Sequence, residues 1–196
     1  MLTPPTRPYM RGTTPRTISD SVREICRELA PAANPQYLQV IPEQGARADD
    51  SFGIVERHVE RHGGSARYGW RIWEWPGVMI EAEFHAVWED ATQQLHDLTP
   101  TPNPVETILF LPDPARAPNG KPLNNVRRAL SPRPEIQKYI QAADAEFELM
   151  NRGPRAEQYG EITLNGNEAQ ELIAIQRAKM LAYRAIVAST AEAGQN

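Results

Sequence analysis

The stretch YGWRIWEWPGVMIEAEFHAVWEDATQQLHDLTP, residues 68–100, constrains the fold more than any other part of the chain. It holds all four tryptophans together with His85 and Asp97. Residues 68–75, 78–88 and 93–98 read as three strands. Pro76-Gly77 joins the first two, and a polar turn at 89–92 joins the last two. In the middle strand one parity is Ile80, Ala82, Phe84, Ala86 and Trp88, an apolar set, while the other carries Met79, Glu81, Glu83, His85 and Val87. Strand side chains alternate between faces, so one face is expected to be core and the other to present Glu81, Glu83 and His85. The third strand then delivers Asp97 close to His85 across a hairpin. In the first strand Arg71, Trp73 and Trp75 share a parity opposite to that of Trp70, Ile72 and Glu74. One of these faces is expected to line a groove beside His85, so Glu83, Trp73 and Trp75 are candidate cleft residues.

The rest of the chain supplies helices and crossings around this block. Residues 1–17, rich in Pro, Thr and Arg, read as a flexible arm, and 18–196 as one domain. A short helix at 19–29 has Val22, Ile25, Cys26 and Leu29 on one face, and a strand is expected at 37–41. Helical spacing returns at 51–62, preceded by Asp49 and Asp50 as possible caps and followed by Gly63-Gly64. A proline-punctuated crossing, 99–134, includes an apolar strand at 105–111. Residues 134–150 form an amphipathic helix, 160–164 an extended piece, and 167–188 the longest helix. On that last helix Leu172, Ile173, Gln176, Met180, Tyr183 and Val187 make the main apolar face. Ile175 and Ile186 widen it beyond what one sheet contact needs, which raises the expectation of a second core contact or a homodimer. The fold class expected is α+β: a central antiparallel sheet, one helix bringing residue 51 against it, and C-terminal helices packed on a face.

Composition excludes several classes of function. A net charge of −4, with no cluster of Lys and Arg, speaks against nucleic acid as a partner. No run approaches the length of a membrane span, and the N-terminal residues lack the apolar core of a signal peptide. A single cysteine, Cys26, excludes internal disulfides and cysteine-based zinc sites and suits a cytoplasmic setting.

Ser51, His85 and Asp97 are the residues that combine into chemistry: a nucleophile, a base and a group that orients the base. Singly, each has an ordinary structural role. Ser51 opens a helix, where unpaired N–H groups and the dipole favour negative charge. Such a position activates a cysteine thiol far more than a serine hydroxyl. His58 and His62, four apart on one helix, offer an alternative as two zinc ligands, but the spacing of Glu60 is not that of a metalloprotease helix. Cys26 is a rival nucleophile whose apolar helix face points to core packing.

Order and spacing together add a resemblance. EFHAVWED (83–90) and LHDLTP (95–100), preceded by a helix-start nucleophile position, resemble the core of the transglutaminase-like cysteine enzymes, which share a Cys-His-Asp arrangement with papain-like hydrolases. The resemblance covers about residues 45–100. It implies a cysteine where this chain has Ser51, either exchanged for serine in an inactive form or natively replaced. It further implies His85 as base, Asp97 as its partner, Gln44 as an oxyanion donor and no cofactor or metal. The activity implied is hydrolysis, deamidation or transfer at an amide of a peptide or protein substrate. The alternatives are an inactive binding module on the same scaffold and a metal-dependent hydrolase using His58 and His62.

Overall fold

The computed structural model describes residues 12–48, 50–101, 103–158 and 162–193. Residues 1–11, Asp49 and the first part of the extended piece expected at 160–164 lie outside the described residues. Where the sequence reads as one domain, the contacts gather into two compact units. One comprises Gly12–Glu74 and Ile80–Pro118. The other is built from Trp75–Met79 and the described residues from Asn119 onward.

The first unit is a small barrel with two helices. Its elements in chain order are α1 (Asp20–Leu29), β1 (Gln36–Val40), α2 (Ser51–His62), β2 (Ser65–Trp75), β3 (Met79–Glu89), β4 (Leu95–Asp97) and β5 (Thr107–Pro112). The expected antiparallel sheet is instead mixed and closed. The strands follow the order β2-β5-β1-β4-β3, β3 pairs back onto β2, and β1 runs parallel to β4 with Val40 opposite Asp97. Closing five strands removes open edges and leaves an interior that side chains must fill. Leu38, Val87, Ile108 and Phe110 fill it, contributed by three different strands.

Register then assigns the faces. Arg71 lies opposite Phe110, Leu38 opposite Ile108, Val40 opposite Asp97, and Glu89 opposite Leu95. Alternation along β3 adds Val87 and His85 to the same side as Glu89. Arg71, His85 and Asp97 therefore share the inner face with the apolar plug. The polar parity of β3 is thus not an open surface, as Glu81 and His85 are both buried. Its opposite face, with Ala86, packs outward against Ile54 and Val55 of α2 together with Leu98.

Local chemistry explains the joints. The Ser19 hydroxyl caps α1 by accepting from the Val22 N–H at 3.3 Å, and Val22, Ile25 and Cys26 face the core. Between β3 and β4, Asp90 Oδ1 accepts from the Thr92 N–H, the Thr92 hydroxyl and the Gln94 N–H. This Asx turn fixes the hairpin and allows Gln93 a positive φ of 65°. Residues 12–17, expected as a loose arm, are tied down instead. Thr13 pairs with Glu74, the Thr14 hydroxyl donates to the Thr107 carbonyl, and the Tyr37 hydroxyl donates to the Pro15 carbonyl.

The second unit is a helical hairpin with a short strand. It contains β6 (Val126–Ala129), α3 (Pro134–Met150), a 3-10 turn at Gly153–Glu157, and α4 (Gly166–Ala193). Proline at the first position of α3 gives up an N–H that would have had no helical partner. Ion pairs and hydrogen bonds link Glu146 with Gln176 and Lys179, and Glu135 with Ser189, so the two helices run antiparallel. The core is Trp75, Val78, Met79, Ile136, Tyr139, Ala182 and Ile186. Tyr183 and Val187 of the expected apolar face of α4 pack against this core and Ile186 is fully buried, whereas Ile173 departs from the expectation and stands 64% exposed. No helix among the described residues is long and apolar enough to cross a membrane.

Candidate active site

His85 and Asp97 meet inside the barrel. Asp97 Oδ1 lies 3.0 Å from His85 Nε2, with the Asp97 and His85 side chains 0% and 3% exposed respectively. The pair is diagonal across the β3–β4 hairpin, because Trp88 opposite His96 places Val87 beside Asp97 and His85 two residues further on. Asp97 Oδ1 also accepts from the Thr99 N–H at 3.0 Å, and Asp97 Oδ2 faces Arg71 Nη1 at 3.6 Å. With Nε2 committed to the carboxylate, Nδ1 is the ring atom left to act as base.

The electrostatics follow from burial and neighbours. Burial alone would push the Asp97 carboxyl up. The nearby His85 and its hydrogen bond, the Arg71 guanidinium and the Thr99 N–H outweigh it and hold the carboxyl below its usual value. Burial pulls Arg71 down, against Asp97 and Glu83, which favour its charge. Arg71 is 3% exposed, and its Nε and Nη2 have no hydrogen-bond partner. Burying an ion with incomplete partners costs several kcal/mol in real proteins. The guanidinium lies over Trp73, its central carbon 4.1 Å from the ring centroid, and Trp73 Nε1 donates to Glu83 at 3.2 Å.

Ser51 is the first residue of α2, buried at 7% exposure. Its hydroxyl accepts from the Ala86 N–H at 3.4 Å, one peptide unit from His85. No hydrogen bond joins it to the imidazole. The seam it enters exists because the β3–β4 ladder has ended before Ala86, freeing that N–H. Asp50, at the cap position, makes no capping bond and turns its carboxylate to Arg57 at 3.0 Å. That carboxylate passes over Gly53, 2.5 Å from where a β-carbon would stand, so a side chain at position 53 would displace it.

The remaining candidates are dispersed. Gln44 is exposed in a turn and bonds to none of Ser51, His85 and Asp97. Trp73 and Glu83 hold each other beside Arg71, as part of the site's support. Trp75, expected beside a cleft, is a core residue of the helical unit, in ring contact with Tyr139 and Tyr183. His58 and His62 lie ring against ring, tilted at 35° with centroids 4.4 Å apart, and His58 bonds Glu43 and makes an edge-type contact with Trp88. Among the described residues no three histidine, cysteine or carboxylate side chains are gathered to hold one metal ion. Cys26 is buried, and burial pushes its thiol up to about 11.

The residue that sequence reasoning missed is Arg71. An arginine between Trp70 and Ile72 in an aromatic-rich strand was the available signal, but parity alone could not say which face turned inward. Comparison with protein-family models, curated proteins and solved structures finds no match.

Proposed function

We propose that this scaffold performs acyl chemistry on an amide of a peptide or protein, through a nucleophile at position 51, His85 as base and acid, and Asp97 as its partner. The observation that carries the reading is the buried Asp97–His85 pair at 3.0 Å, with the Ser51 hydroxyl, at a helix start, accepting from the backbone N–H of Ala86, the residue after His85. With cysteine at position 51, His85 Nδ1 accepts the thiol proton and the sulfur attacks the carbonyl carbon. N–H groups at the start of α2 stabilise the oxyanion, and His85 returns its proton to the departing amine or ammonia. Water, or an acceptor amine, then attacks the thioester, His85 takes its proton, and the thiol is restored. The resemblance to transglutaminase-like and papain-like cysteine enzymes supports this order of roles.

A second reading rests on the Ser51 hydroxyl. It is buried and bonded to a backbone N–H instead of to the imidazole, which suits a native serine in a module that binds a peptide without cleaving it.

Assay of the Ser51 protein, Ser51→Cys, and Ser51→Cys with His85→Ala on a peptide amide panel separates the two. The expected outcome is turnover by Ser51→Cys alone, read as ammonia, amine or a new N-terminus. Adding Asp97→Ala should lower that turnover about 10²–10⁴-fold, the range for loss of an orienting carboxylate. Equal activity of the Ser51 protein and its Ser51→Cys variant would rule out the thiol mechanism. Tight peptide binding with no turnover by any variant would establish the binding module.

A further inference from the structure

Arg71 takes no part in the chemistry just described, yet it is buried against Asp97 on the same inner face of the barrel. The Asp97 carboxylate has unequal oxygens. Oδ1 carries both hydrogen bonds, to His85 Nε2 and the Thr99 N–H, while Oδ2 makes no hydrogen bond and faces Arg71 Nη1 at 3.6 Å. Rotation of the carboxylate about its Cβ–Cγ bond would exchange the two and turn Oδ1 from the imidazole. A cation fixed on the Oδ2 side opposes that rotation.

Arg71 is fixed in its turn. Its guanidinium rests on the Trp73 ring, and the Trp73 indole is pinned by its N–H bond to Glu83. The side chain is not arranged for its own satisfaction, because Nε and Nη2 are left without partners while Nη1 is directed at Asp97. A residue selected only to fill the barrel would be apolar, like Leu38, Ile108 and Phe110 around it.

We propose that Arg71 is a positioning residue: its Nη1 holds Asp97 Oδ2 so that Oδ1 stays aimed at His85 Nε2. The purpose of that positioning rests on the proposed function, but the Arg71–Asp97–His85 relation does not.

Two measurements on the full chain test it. The first needs no activity: the hydrogen-bonded Nε2 proton of His85 should give a downfield proton resonance, assigned by its absence in His85→Gln. Arg71→Met should keep the folded circular dichroism yet broaden or lose that resonance, and Arg71→Lys should restore it only in part, because the planar fork is gone. The second is alkylation by iodoacetamide of the thiol introduced at position 51 in the Ser51→Cys chain. Arg71→Met should slow it on the order of 10–100-fold, by analogy with loss of the outer-shell partner of a metal-bound histidine. In the Asp97→Asn background the same change should do nothing further, since Arg71 acts through Asp97.

A sharp resonance and unchanged alkylation in Arg71→Met would overturn the proposal, as would additive effects of Arg71→Met and Asp97→Asn. Should Arg71→Met fail to fold, the proposal stands only if folded Arg71→Lys weakens the resonance, and falls if it does not. A wild-type resonance that depends on Arg71, in a chain whose Ser51→Cys variant turns over no amide, would overturn the proposed function and leave this inference standing.

Discussion

At the scale of single residues, Asp97 carries the greatest consequence. Its folded carboxyl is held below the ordinary value of about 4 that it has in the unfolded chain. A depressed folded value means that ionised Asp97 contributes stability fully above about pH 4, and that this contribution drains away as pH falls through the folded value. Asp97→Asn removes the titration and strands Arg71 as a buried charge, so it should cost about 3–5 kcal/mol at neutral pH. Urea unfolding of both proteins between pH 3 and 7 checks the sign. The difference should be level above about pH 4 and shrink below it; a difference that grows in acid would contradict the ion-pair account. Cys26 offers a simpler check at the same scale. Buried and with its thiol raised to about 11, it should stay unlabelled by thiol reagents in the folded protein and react once urea unfolds the chain. Rapid native labelling that depends on His85 would make Cys26 the nucleophile.

At the scale of elements, what could be read from the sequence was whatever nearby residues determine. The helix at 51–62 has acid before it and two glycines after it. The helix at 134–150 begins at its proline, and the hairpins around Trp75–Met79 and Asp90 carry their own turn chemistry. The pairings that close the barrel have no such local signal. β1 with β4 and β2 with β5 join segments tens of residues apart, and only their register reveals that Arg71, His85 and Asp97 share the interior. That is why the His85–Asp97 pair was legible from one hairpin and Arg71 was not. β6 and the turn at Gly153–Glu157 were hidden because four or five residues are too few to show a period. The passage from α2 into β2 supports a prediction of its own. Gly64 has a φ of +82°, and a β-carbon there would stand 2.2 Å from the Glu89 carbonyl oxygen and 2.6 Å from Trp88 Nε1. Gly64→Ala meets both backbone strain and a backbone clash, so a loss of about 2–4 kcal/mol is expected in chemical denaturation. A loss below about 0.5 kcal/mol would show that the α2–β2 joint yields easily.

At the scale of the whole molecule, each compact unit has apolar packing of its own among the described residues: inside and around a five-stranded barrel in one, within a helical hairpin in the other. The charged site belongs entirely to the first, and α4 is where the second is won or lost. Two isoleucines on this helix make this concrete. Ile186, expected as surplus, is fully buried among Trp75, Tyr139 and Ala182, whereas Ile173, expected in the main stripe, is largely in solvent, as is Leu181 at 57% exposure. Burial, not hydrophobicity, decides the cost of truncation. Ile186→Ala removes atoms from a closed cluster and leaves a cavity, for a loss of about 2–5 kcal/mol. Ile173→Ala removes atoms already in water and should change stability by less than about 0.5 kcal/mol in a monomer. Thermal and urea unfolding of the two variants at micromolar concentration gives the comparison. Repeating it at tenfold higher protein concentration tests the homodimer expectation, since a face covered by a second copy becomes part of a core. In that case Ile173→Ala should become destabilising only as concentration rises, and the wild-type transition should move with concentration as well. If Ile173→Ala stays neutral and the wild-type transition does not move, the exposed stripe of α4 is ordinary solvent surface and the dimer expectation is wrong.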